Sequence, residues 1–282
     1  MQSIKLQCKR KKIGALNFAL WFFAFSFTFY AFLLPKEAAA GLIMKAPPYI
    51  GLQEGLVGFW SFNGPDVITQ TDGGEKAVDG SGNKNDGTLT NGPIRGVGRL
   101  GQGLVFDKIN DLVNAGTGTS LDDLADITIS AWINPRSLGE SNFGRVGEKR
   151  SAGGWIVALC SNGATDCPSI SNTINFFRDF DTADGEWAGP SESIAFNTWN
   201  HVAFTYTKGS ASNDPLIYIN GKSVTVTEIL TPSGTPHDEA AADLIIGNTS
   251  GAAATFDGLL DEVRIYNRAL TPDEIKRLYK IG

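Results

Sequence analysis

The residues best placed to do chemistry are oxygen donors in a glycine-rich loop. Asp79-Gly80-Ser81-Gly82-Asn83 sets side-chain oxygens at alternate positions, between glycines that expose their carbonyls. Hard cations such as calcium take roughly six to eight oxygens of this kind. The loop opens like an EF-hand, but Lys84 stands where that loop needs glycine and Thr90 where it needs glutamate, so it is not one. Asp79 and Asn83 serve equally well to close Asx-turns on the loop backbone. Both readings stay open at this point.

Other chemistry is thin. Asp179, Asp181 and Glu186 form the nearest acidic cluster, and Gly185 beside them points to a loop whose acids are solvated. A glycosidase needs two carboxyl groups flanking the scissile bond, and no Glu in the chain has Asp two residues later. The two histidines, His201 and His237, lie outside any His-Glu-x-x-His segment, and no nucleophile elbow, P-loop or dinucleotide fingerprint occurs. His201, inside a strand pattern, is expected to make a structural hydrogen bond. Trp187, between Glu186 and Ala188 and flanked by Gly185 and Gly189, is the aromatic best suited to stack on a sugar. The competing role for a loop Trp is to close the edge of a core. Asn248-Thr249-Ser250 is a formal glycosylation sequon.

The chain that must position these groups has 282 residues, 33 of them glycine, and a net charge of -6. Charged residues make up 19% and hydrophobic residues 42%, a globular balance. Residues 1–40 hold six basic groups and one acid, which leaves 18 basic and 29 acidic groups beyond them, a net charge of -11. An acidic surface disfavours phosphate backbones and excludes nucleic acid as a partner.

Residues 1–40 read as an export segment. Lys9-Arg10-Lys11-Lys12 precedes an uncharged apolar run from Ile13 to Leu34, and Ala38 and Ala40 suit signal-peptidase cleavage before Gly41. The run is 22 residues long, longer than the usual ~7–15 of a signal core and enough to span a bilayer at ~20 residues. Uncleaved, residues 13–34 would anchor the chain in a membrane, with its N-terminus cytoplasmic. Both readings place the remainder outside the cytoplasm, secreted or at the cell surface. There Cys160 and Cys167 are the only cysteines left, and an exported even pair implies a disulfide.

Residues 41–54, with Pro47-Pro48, read as a linker, and residues 55–282 as one domain of short strands. Strand signals fall at 56–62, 102–106, 111–115, 127–133, 199–206, 216–219, 224–226, 244–246 and 259–266. Ile127, Ile129, Ala131 and Ile133 share one face, as do Val202, Phe204 and Tyr206. Asn220-Gly221 between strands signals a type I′ hairpin turn. Thr271, Pro272 and Glu274 form a capping box for a short C-terminal helix. Strands at this spacing without intervening helices give an all-β, antiparallel two-sheet jelly-roll sandwich.

The order of these segments resembles the LamG-like jellyroll family of the laminin G and concanavalin A-like lectin/glucanase superfamily. The resemblance rests on Gly58-Phe59-Trp60-Ser61-Phe62, on Asp79 to Leu89, and on Gly101 to Asp107. It continues through Ile127 to Ile133, Trp199 to Ala203, Tyr218 to Gly221, Leu244 to Gly247 and the closing stretch Phe256 to Ile275. Residues 138–193 match only loosely. The resemblance implies an exported binding module that recognises a glycan, with a protein-binding adhesion module as the alternative and a glycoside hydrolase or lyase as the second. It also implies that Asp261 meets the Asp79–Asn83 loop at one sandwich edge to hold calcium. Trp60, Trp132 and Trp199 match family strand positions and are expected in the core.

Overall fold

The computed structural model describes residues 51–282 apart from 152 and 162–170; the export segment of 1–40 and most of the 41–54 linker lie outside the described residues. The strands in chain order are β1 (Leu56–Trp60), β2 (Val67–Thr69), β3 (Glu75–Ala77), β4 (Gly87–Thr90), β5 (Ile94–Val97) and β6 (Gln102–Asp107). Next come β7 (Leu112–Asn114), β8 (Asp126–Pro135), β9 (Arg145–Arg150), β10 (Gly154–Cys160), β11 (Thr173–Arg178) and β12 (Gly185–Ala188). The last are β13 (Asn200–Thr207), β14 (Leu216–Ile219), β15 (Lys222–Ser223), β16 (Thr227–Leu230), β17 (Leu244–Ile246) and β18 (Asp257–Tyr266). One helix, Pro272–Ile281, follows.

The strands form two antiparallel sheets. An eight-stranded sheet runs β15-β14-β13-β8-β18-β6-β5, with β1 also paired to β18. A ten-stranded sheet runs β16-β12-β11-β10-β9-β17-β7-β4-β3-β2. Alternation along the strands dictates what lies between them. Ile127, Ile129, Ala131 and Ile133 of β8 and Val202, Phe204 and Tyr206 of β13 face Val157, Leu159, Ile174 and Phe176 of β10 and β11 in one continuous core. The Asn220-Gly221 turn has positive φ at both residues, 51° and 72°, as its type requires. Its returning strand is the two-residue β15, shorter and earlier than the 224–226 expected.

The helix covers the outer face of the eight-stranded sheet. Ile275 and Leu278 pack with Ala203, Tyr218, Tyr266 and Leu56 in a second cluster. Thr271 Oγ1 accepts from Glu274 N, and Glu274 Oε2 accepts from Thr271 N at 2.9 Å, completing the expected capping box. Arg268 clamps the same carboxylate at 2.8 and 2.9 Å. This helix decides where Trp132 lies. Trp132 is buried, but on the outer face, stacked on Tyr279 at 5.6 Å rather than between the sheets. Trp199 precedes β13 and is only half-buried. Trp60 alone of the three expected core tryptophans sits between the sheets. Strands β9 to β12, in the loosely matching stretch, are almost wholly buried. They therefore lack the polar alternation that would mark them in sequence.

Candidate functional site

The loop after β3 is held by Asp79. Its Oδ1 accepts from Phe59 N (2.9 Å) and Ser81 N (2.8 Å), and its Oδ2 from Ser81 Oγ (2.7 Å) and Asn85 N (3.0 Å). Asn83 turns its amide nitrogen to Ser81 Oγ at 3.1 Å. Asp261 sits on β18 in another network: its Oδ2 accepts from Arg99 N (2.7 Å) and Leu100 N (2.8 Å) in the β5–β6 turn. The two networks share no residue. Cation ligands must present free lone pairs toward one point; here Asp79 accepts from four donors, while both backbone amides that reach Asp261 fall on its Oδ2. The Asx-turn role accounts for Asp79 in this loop, whereas Asp261 takes its hydrogen bonds from Arg99 and Leu100 rather than from the loop.

Asp261 is nonetheless unusual. It is fully buried, its Oδ1 has no hydrogen-bond partner, and burial pushes its carboxyl up to about 7. A β-bulge follows it: the pairing with β8 shifts between Asp261 and Arg264, and Glu262 adopts a left-handed φ of 54°.

Trp187 is not a surface platform. It is wholly buried in β12, against Phe176 (6.2 Å) and Tyr206 (5.9 Å) in the inter-sheet core. Its Nε1 reaches Asp214 Oδ1 at 2.8 Å. The flanking glycines permit this: Gly185 packs directly under the indole, where a Cβ would lie 2.3 Å from a ring carbon. Cys160 ends β10 and is buried; its expected partner Cys167 lies outside the described residues. His201 has the structural role expected of it, with Nε2 3.0 Å from Ser130 Oγ, and burial pulls its pKa down to about 3, so it stays neutral. Asn248 is buried and donates to Asp111 O and Thr255 Oγ1, so the sequon is closed in the folded state.

The acids of the ten-stranded sheet are dispersed. Asp179 is clamped by Arg150 at 2.7 and 2.8 Å, Asp181 accepts from Thr235 N, and Glu186 accepts from Asn175 Nδ2 at 2.6 Å. Glu186 belongs to a row of directly opposed residues on the outer face: Glu186, Phe177, Ile156, Glu148, Ile245, Asn114 and Thr88. Glu148, bonded to Arg145, is three strands away. At ~4.8 Å per strand that is about 14 Å, beyond the ~5–10 Å of a glycosidase pair. Asp123, Asp238 and Glu239 bring carboxylates within 4.8 Å of one another. Cations already fill that grouping: Lys208 pairs with Asp123, and Arg178 with Glu239 at 2.6 Å.

The same outer row ends in an open polar groove of about 470 Å³ over β4, β7 and the β17 approach. Thr88 and Thr90 line it, Asn114 Nδ2 donates to Asp243 Oδ2 at 2.9 Å, and Asp86 pairs with Lys76 at 2.7 Å. None of these residues stood out in the sequence. The alternation in Gly87-Thr88-Leu89-Thr90, with threonine on one face and Leu89 on the core, is the signal that could have marked them.

A sandwich of two antiparallel sheets in this strand order is the architecture of a jelly-roll domain. Residues 107–276, more than half the chain, match the concanavalin A-like lectin/glucanases superfamily, and the protein belongs to that family. Solved structures share the fold. The binding domain of Paraclostridial mosquitocidal protein 1 superposes with a TM-score of 0.59 at 19% identity, over 81% of this chain and 52% of its own. Domain 4 of AbnA, an extracellular arabinanase from Geobacillus stearothermophilus in complex with arabinotriose, gives 0.55 at 21%, over 79% and 98%. The receptor-binding domain of botulinum neurotoxin mosaic serotype C/D gives 0.56 at 14%, over 82% and 51%. At these identities the likeness is one of fold, and the chain spans about half the length of the two toxin domains. No curated protein sequence matches the chain.

Proposed function

We propose that this protein is an exported, non-catalytic module that binds carbohydrate through the polar groove on the outer face of its ten-stranded sheet. The observation that carries this reading is the groove itself. Hydroxyls, an amide and carboxylates line an open trough, which suits a polyhydroxylated chain and gives an apolar protein surface little to bury. The exposed large apolar side chains among the described residues lie on β2, β5, the β6–β7 loop, β14 and β16, none of them in the groove lining. The arabinanase domain supports the reading, because a domain of this fold holds arabinotriose. The reading needs no calcium at Asp79, Asn83 or Asp261, and a glycan array run with and without calcium tests whether the ion takes part.

The test is a glycan array probed with the purified protein, with and without calcium, beside Thr88→Trp. Thr88 is exposed, so the indole would fill the groove without touching the core. Glycan binding that is lost in the variant supports the proposal. Binding that is unchanged refutes the groove, and polysaccharide turnover by the wild type refutes the non-catalytic reading.

A further inference from the structure

A second cavity lies on the opposite side of the molecule, under the end of the C-terminal helix. It encloses about 320 Å³ between Leu278, Leu52 and Leu100, at the lower end of the ~300–1,000 Å³ of small-ligand sites. Its polar lining is Gln53, Ser61, Asn63 and Arg264 together with the carboxylates of Asp66 and Glu262. The sheet is deformed to supply Glu262. Two residues of the β18 bulge oppose one of β8, and Glu262 sits in the left-handed region, which a residue with a side chain adopts only at a cost. Bulges of this kind re-aim side chains beside functional sites.

Neither carboxylate is bare. Arg264 pairs with Glu262 while its guanidinium lies 4.2 Å over Phe59, and Ser61 Oγ donates to Asp66 Oδ2 at 2.5 Å. Partly neutralised carboxylates do not demand a cation. They accept hydrogen bonds from neutral hydroxyls, and leucine walls match the C–H face of a ring. We propose that this pocket binds one neutral sugar ring, as a site separate from the groove. The inference rests on the carbohydrate reading and adds a second site of different size on the other sheet. A free monosaccharide and the terminal residue of a longer glycan share this chemistry.

The experiment is a methyl-NMR titration of the full chain with a panel of common neutral aldoses, run on wild type, Gln53→Trp and Thr88→Trp. Gln53 is an exposed residue at the rim, so its indole would plug the pocket from outside. Asp66→Asn is the second pocket variant, should the first misfold. At least one aldose is expected to shift the methyls of Leu52, Leu100 and Leu278 in wild type and Thr88→Trp. Its affinity should fall about tenfold or more in the pocket variants. Competition by glycans ending in that aldose identifies a chain end as the ligand; its failure identifies the free sugar. Shifts confined to the groove, or silent pocket methyls in a protein that binds glycans on the array, overturn the pocket and leave the groove standing. Silence in both assays overturns the two together.

Discussion

Replacing Trp187 separates a core residue from a ligand platform more cleanly than any other single change. The indole is wholly buried, packs on Phe176 and Tyr206, and donates to Asp214. Trp→Ala at such a site leaves a cavity in the inter-sheet core and should cost about 3–5 kcal/mol. At ~2–4 °C per kcal/mol for a domain of this size, the melting temperature should fall by roughly 6–20 °C. Trp187→Phe keeps a ring against Phe176 but loses the bond to Asp214, so its loss should be smaller, about 1–2 kcal/mol. Thermal unfolding followed by near-ultraviolet circular dichroism measures both. A surface Trp that stacks on sugar would behave in the opposite way, with glycan affinity abolished and melting shifted by less than about 2 °C. That outcome would refute the packing described here.

Four further outcomes follow from the same geometry. Burial raises the Asp261 carboxyl to about 7, so the folded state holds a proton that the unfolded state has released. Stability from this group is therefore present below pH 4 and lost as pH rises toward 7. Asp261→Asn, which mimics the protonated form, should flatten the fall in melting temperature over that range; Asp111, raised to about 6 by burial, contributes with the same sign in both proteins. Arg268 holds Glu274 down at about 2, so this pair stabilises above the ordinary carboxylate range and is lost as pH falls through it. Glu274→Gln should accordingly cost on the order of 1 kcal/mol at neutral pH, a cost that shrinks as pH falls from about 4 and vanishes only below about 2. If Cys160 and Cys167 pair, intact mass will show two hydrogens missing, whereas full alkylation without reductant would disprove the bond. If the export segment is cleaved, N-terminal sequencing of the secreted protein will begin at Gly41; an intact chain in the membrane fraction would identify an anchor.

The strand pattern, the hairpin turn and the helix cap were legible because their causes are local. Alternation along β8 and β13 is a property of consecutive side chains, positive φ at Asn220-Gly221 of two residues, and the capping box of four. The acidic balance is likewise a count. Strands β9 to β12 were not legible. Both of their faces are buried, and the alternating pattern disappears where no face meets water.

The sequence by itself determined that this chain builds a two-sheet antiparallel sandwich closed by a short capped helix. Only the tertiary structure decided which faces meet. It put Trp187 between the sheets and Trp132 beneath the helix, and it gave Asp261 other hydrogen-bond partners than the Asp79 loop. It also assembled the groove from strands β4, β7 and β17, and the pocket from residues more than two hundred positions apart. The reason is physical. Periodicity reveals which side chains share a face, but whether that face meets solvent, a second sheet or a helix depends on contacts between segments distant in the chain.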